Sequence, residues 1–256
     1  MLRYAFLLRE FVRRDVQGRY AGSMLGFFWS LVQPAFQLAL FSFVFSVVLK
    51  IRLGGEPTDN FAVFLFCGLM PWLAFQEGLQ RSTTAITDNA PLVKKIHFPA
   101  EILVLSVVIS AVLHQAVASL LFLAVLVWMG LLEVSGFPLL AVALPLQVAL
   151  TLGLGLFGAA IHTFFRDFGQ FLIMLLTGWF YLTPIVYPAS ALPERLEPLL
   201  AWNPMSALVD LYRQAFLGGR LAEVEYLPIA FAWAATAMFA GLWLFRRLKP
   251  AFADEL

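Results

Sequence analysis

The chain of 256 residues is 61% hydrophobic and 15% aromatic, with 13% charged residues and a formal net charge of +1. Soluble domains carry about 25% charged and roughly 45–50% apolar residues, so a water-soluble globule and a disordered chain are both excluded. The near-zero charge argues against a nucleic-acid binder, and a single cysteine, Cys67, excludes a disulfide framework or a cysteine-based zinc site.

The few charges divide the apolar mass. Residues 20–49, 60–76, 102–132, 134–165, 168–193 and 226–245 contain no Asp, Glu, Lys or Arg. A helix needs about 20 apolar residues to cross a hydrocarbon core of about 30 Å. Each window therefore predicts one span and none predicts two, the second reaching its length by taking in some of residues 77–81. The expectation is an all-α polytopic membrane protein with six transmembrane helices in a single transmembrane domain, 1–256. Twelve of the 17 Lys and Arg residues then fall on the side that also holds both termini, which places the termini of a multi-pass membrane protein in the cytoplasm.

In chain order, residues 1–19 predict an amphipathic helix lying along the cytoplasmic membrane surface. Tyr4, Leu7, Leu8, Phe11, Val12 and Val16 recur at helical spacing, while Arg9, Glu10, Arg13, Arg14 and Asp15 break the apolar run that a signal peptide requires. Segment 82–99 reads as a short basic helix exposed between two spans. Asp88 or Asn89 supplies its N-cap, Pro91 fits its first turn and Pro99 stops it. Its alternative reading is an ordinary basic loop. The fourth and fifth windows are separated by Arg166 and Asp167 alone, which makes a tight turn. Five prolines crowd residues 184–204, and 205–217 has helical periodicity closed by Gly218 and Gly219. Residues 189–219 therefore predict two short helices that dip into or lie along the outer leaflet before the last span.

Catalytic motifs are missing. No P-loop occurs. Gly153, Gly155 and Gly158 form G-x-G-x-x-G inside a charge-free helix, where close helix packing explains them better than a dinucleotide site. His97, His114 and His162 lack metal-type spacing, and polar packing is favoured over a proton relay for the latter two. No Asp, Glu, Lys or Arg lies centrally in a window, which disfavours ion coupling. The expectation is no catalytic residue, no metal and no cofactor in this chain. Aromatics concentrate in the first span (Phe28, Trp29, Phe36, Phe43) and the fifth (Phe171, Trp179, Tyr181, Tyr187). Interfacial belts and lipid contact account for some of them; facing a pore, their flat apolar faces suit sugar rings.

Six segments then occur in a telling order: RRDVQGRYAGSMLGFFWSLVQP (13–34), GLMPWLAF (68–75), NAPLVKKIHFP (89–99), FFRD (164–167), TPIVYP (183–188) and WNPM (202–205). Together they resemble the membrane subunit of type-2 ABC polysaccharide exporters, in particular the O-antigen branch. The resemblance implies a homodimer associated with two copies of a separate ATPase that holds the ATP and Mg. It further implies that Asn89, Leu92, Val93, Lys94, Lys95, Ile96, His97 and Phe98 form the coupling helix seated in that ATPase, with Arg9, Arg13 and Arg14 nearby. The path, in this family, is lined by the first and fifth spans of both protomers, which makes the aromatics named above sugar-contacting candidates. The substrate implied by the resemblance is a glycan on a lipid pyrophosphate, undecaprenyl pyrophosphate in this branch, whose charge Arg3, Arg9, Arg13 and Arg14 would attract; positive-inside anchoring explains the same arginines. Capsule or teichoic-acid export shares the architecture. A membrane glycosyltransferase or ligase is the alternative from another class, and it would need a catalytic group on a sizeable outer loop.

Overall fold

The computed structural model describes residues 2–18, 28–41, 43–44, 48, 58, 60–95, 98–189, 192–221, 224 and 226–256. Those residues form helices joined by turns and include no strand: α1 (Leu2–Gly18), α2 (Trp29–Phe41), α3 (Phe61–Thr84), α4 (Ala90–Lys95), α5 (Glu101–Met129), α6 (Leu140–Phe164), α7 (Phe168–Leu182), α8 (Glu197–Trp202), α9 (Pro204–Leu217), α10 (Leu227–Leu248) and α11 (Phe252–Glu255). Four stretches are long and apolar enough to cross a bilayer: Phe61–Thr84, Glu101–Met129, Phe137–Phe164 and Leu227–Glu255. They coincide with the second, third, fourth and sixth charge-free windows. The hydrocarbon environment explains that agreement, because only a helix satisfies every backbone group there.

The other two windows give shorter helices. The described part of the first contains α2, with 13 residues. The fifth yields α7, with 15 residues, about 22 Å of helix at about 1.5 Å per residue. Pro184 explains the early stop. A residue before proline is pushed out of the α region, and Thr183 is extended at φ −98° and ψ 135°.

Helix α3 is the centre of the bundle. Its first half is apolar on every face, the pattern of a helix surrounded by protein, and residues from Phe61 to Phe75 are buried except Leu73. It packs against α5, α6, α7 and α9. Asn60 caps it, its side-chain oxygen accepting from the Ala62 and Val63 amides at 3.0 and 3.3 Å. A second, smaller core lies at the opposite end of α3. There Ile86, Leu103, Val104, Ala160, Phe245 and Phe252 are buried, and Phe11, Leu92, Val93 and Phe98 pack over them. This end, which carries α1, α4 and α11, is called the α4 end below, and the other the α9 end.

The three glycines of α6 are packing residues. A Cβ at Gly153 would lie 2.4 Å from the Ala237 carbonyl carbon of α10, one at Gly155 would lie 2.8 Å from Ser82 Cβ, and one at Gly158 would lie 2.6 Å from Thr83 Oγ1. Without water to drive association, helices in a bilayer gain from close backbone approach of this kind.

Candidate functional site

At the α4 end, polar side chains tie α1 to the segment that follows α3. Arg81 grips the Asp15 carboxylate with both terminal nitrogens; the Nη1–Oδ2 distance is 2.9 Å. Glu77 Oε1 lies 3.6 Å from the same Nη1. Arg14 Nη2 donates to Asn89 Oδ1 at 2.6 Å. The Asn89 amide nitrogen in turn donates to the Ala85 carbonyl at 2.9 Å. Asn89 precedes α4 as expected, but its side chain joins α1 to the end of α3, while its backbone carbonyl receives the Leu92 and Val93 amides. The rings of Phe11 and Phe98 pack at 5.9 Å. From the far end of the chain, Lys249 Nζ donates to Glu101 Oε2 at 2.7 Å, and Phe252 wedges against Phe245 and Phe164.

This arrangement separates the expected coupling residues by role. Lys94 and Lys95 are exposed, whereas Leu92, Val93 and Phe98 are half-buried and hold the short helix on the smaller core. Ile96 and His97 lie outside the described residues. On α1, Arg9, Arg13 and Arg14 are exposed opposite a half-buried face of Leu7, Leu8, Phe11, Val12 and Val16, so the amphipathic pattern is realised as a helix from Leu7 onward, while Tyr4, expected on the same face, is exposed. Arg3 belongs to its first turn. Replacing Asp15 with Asn will loosen α1 by about 1 kcal/mol, the upper range for a solvent-screened pair, since Arg81 is 36% exposed at its side chain. Faster hydrogen exchange across α1 without change in α3 is the expected readout; unchanged α1 exchange would show that the pair does not hold the helix.

At the α9 end, two of the sequence segments singled out above meet. Asn203 accepts from the Trp179 indole nitrogen at 2.8 Å and from the Met205 amide at 3.0 Å, which caps α9. Its amide nitrogen donates to Thr183 Oγ1 at 2.9 Å. Arg213 is 4% exposed, donates to the Pro184 carbonyl at 2.6 Å and places its guanidinium carbon 3.6 Å from the centre of the Phe64 ring. Nothing in a single sequence distinguishes this buried cation from an outer-surface one. Tyr212 donates to Gln147 Oε1 at 2.5 Å, and Gln147 donates to Gln115 Oε1 at 2.8 Å, a buried chain linking α9, α6 and α5.

The aromatics expected along a path fall into two groups. Phe28, Trp29, Phe36 and Phe43 are exposed, as are Phe171 and Tyr181 on α7. Trp179 is instead half-buried, its ring set edge-on to Trp72 and Phe75, and its only polar atom is taken by Asn203. Tyr187 is half-buried and donates to the Tyr181 carbonyl at 3.1 Å. Among the described residues no group of three or more His, Cys, Asp or Glu side chains is placed to hold a metal ion.

With four stretches long and apolar enough to cross a bilayer, a basic elbow at one end and a proline-broken polar joint at the other, the described residues form a helical bundle of membrane-protein type. Residues 7–217 match the ABC-2 type transporter family, and the chain belongs to it. It is 31% identical to the O-antigen export system permease protein RfbA of Myxococcus xanthus, over 100% of this chain and 97% of the relative. RfbA of Klebsiella pneumoniae is likewise 31% identical over 100% of this chain and 97% of its own length. The polysialic acid transport protein KpsM of Escherichia coli is 27% identical over 93% of this chain and 92% of the relative.

Proposed function

We propose that this chain is the membrane subunit of an ATP-driven exporter that moves a lipid-linked polysaccharide, an O antigen carried on undecaprenyl pyrophosphate, across the inner membrane. The observation that carries the reading is end-to-end similarity to O-antigen export permeases. The lower identity to a polysialic acid transporter makes a capsule-type polymer the second choice.

In this reading the chain is one transmembrane domain, 1–256, with six spans (α2, α3, α5, α6, α7 and α10). Helix α1 lies in the cytoplasmic interface, α8 and α9 form a re-entrant outer gate, and both termini are cytoplasmic. Two copies form the conduit, and each seats Asn89–Phe98 in a separate ATPase that supplies ATP and Mg. Lys94 and Lys95 are the exposed contacts, and Leu92, Val93 and Phe98 transmit their displacement to the core. Arg3, Arg9, Arg13 and Arg14 meet the ATPase or the pyrophosphate, whose oxygens match guanidinium geometry. The exposed aromatics Phe28, Trp29, Phe36, Phe43, Phe171 and Tyr181 are the sugar-contacting candidates, while Trp179 and Tyr187 support them from behind. The chain performs no bond chemistry.

Co-expression with the ATPase encoded beside it will yield a stable complex whose hydrolysis rises when the permease is present. Reversing Lys94 and Lys95 together to Glu will reduce that stimulation about tenfold, as expected for the loss of two interfacial charge contacts, while membrane insertion is retained. No complex, or full stimulation in the double variant, would end the exporter reading or the coupling role respectively.

A further inference from the structure

Between α2, α3 and α5 lies an open cavity of about 460 Å³ whose polar lining is Gln37, Gln76, Glu77, Gln80, His114 and Gln115. Glu77 is seven residues from the Thr84 end of α3, about 10 Å, and His114 is thirteen residues from the Glu101 end of α5, about 20 Å. The cavity therefore reaches well into the depth that hydrocarbon occupies around a bundle. Polar groups at such depth are costly unless they are satisfied, and lipid tails cannot satisfy them.

We propose that this cavity binds one neutral, polyhydroxylated sugar unit of the exported glycan, an assignment that rests on the exporter reading above. Four carboxamides line it, and each offers donors and an acceptor, the complement of vicinal hydroxyls that both give and receive. Gln115 is the fixed member of the set. It is 5% exposed and its oxygen accepts from Gln147 at 2.8 Å. Gln147 is itself fixed by Tyr212, so this part of the lining is pre-organised and little ordering remains to oppose binding. Gln76 is positioned similarly, accepting from the Trp72 indole at 2.9 Å.

Charge selects the ligand class. The lining contains a carboxylate, Glu77, 3.4 Å from His114, and among the described residues no Lys or Arg lines it directly. The nearest fixed cation, Arg81, is already engaged by Glu77 at 3.6 Å and by Asp15, so a phosphate or uronate would lose its hydration beside a carboxylate with no uncommitted cation to replace it. The volume lies at the small end of the range of about 300–1,000 Å³ typical of ligand pockets, which suits a single ring. Gln37 also adjoins Phe36, an exposed aromatic of the same helix, so a unit held here sits next to the surface assigned to the path.

The test is saturation-transfer NMR on the full chain with its ATPase in lipid nanodiscs. The probes are methyl glycosides of glucose, galactose, mannose, rhamnose and N-acetylglucosamine, with methyl glucuronide as the anionic comparison. Saturable transfer to at least one neutral glycoside and none to the glucuronide is expected. Gln115→Leu and, as the less buried second variant, Gln80→Leu will each weaken the neutral ligand about tenfold, the equivalent of one lost hydrogen bond. No transfer above empty nanodiscs, equal transfer in a variant that retains its ATPase complex, or preference for the glucuronide would overturn the assignment. The exporter reading fails separately: sugar binding that persists in a chain unable to bind the ATPase would remove that reading and leave the cavity assignment standing.

Discussion

Gly241→Ala will separate α6 from α10 and lower the unfolding midpoint of the detergent-solubilised protein by more than any other single methyl addition to a glycine of these two helices. The added Cβ would sit 2.0 Å from the Gly153 carbonyl oxygen. That neighbour is backbone, so no rotamer change relieves the clash and one helix must move. Overpacking usually costs about 1–3 kcal/mol, and a collision with a helix main chain belongs at the upper end. Ala237, against which Gly153 packs, and Ala234 are the buried α10 residues one and two turns before Gly241, so the side chains there are too small to fill a gap opened by the displaced helices. Gly155→Ala meets Ser82 Cβ at 2.8 Å and Gly178→Ala meets nothing within 4 Å, which grades the series from intermediate to neutral. If Gly241→Ala melts with Gly178→Ala, the α6–α10 contact is looser than these distances state.

Asn203→Ala will produce the second large loss. Removing the side chain takes the cap from α9, worth about 1 kcal/mol, and strands the Trp179 indole nitrogen, at about 1–3 kcal/mol where it is buried; the Thr183 hydroxyl loses a donor but keeps its own bond to the Trp179 carbonyl at 2.9 Å. The sum is about 2–4 kcal/mol with water kept out of the joint. Asn203→Asp separates the contributions, because it keeps an acceptor for Trp179 and Met205 while losing the donor to Thr183. It should recover more than half the loss in unfolding midpoint and restore the environment-dependent Trp179 fluorescence. Equal damage from Ala and Asp would assign the stability to the donor side of the amide alone.

Much of the bundle is legible in the sequence because hydrocarbon leaves the backbone so few choices. The boundaries of α5 and the start of α3 and α10 follow where charges stop and resume, whereas α3 runs on through Glu77 and Arg81 to Thr84, and Gly218 closes α9 at φ 84° as its position suggests. The α6 glycines read as packing because no strand or acidic partner accompanies them. Orientation about a helix axis is less accessible. Trp179 belongs by composition with the aromatics that face outward on α7, yet a hydrogen bond to a residue 24 positions away turns it into the joint. Arg213 counts as an outer-surface charge until the Phe64 face and two carbonyls of the proline turn are seen to receive it. The short length of α7 was available from Pro184, but a charge-free window conceals it, since proline and helix-forming residues are equally uncharged.

The α1 attachment also bears on how the chain is made. Asp15 is held by a residue 66 positions later and Arg14 by one 75 positions later. At roughly 5–20 residues per second, the helix waits about 3–13 s for Arg81 to be synthesised. During that interval neither polar latch exists, and α1 has only its own amphipathic face with which to find a partner surface. Docking is therefore a late event of biogenesis that marks the completion of the third helix, and a ribosome stalled before residue 81 would leave a nascent chain whose first helix is open to proteases and targeting factors alike.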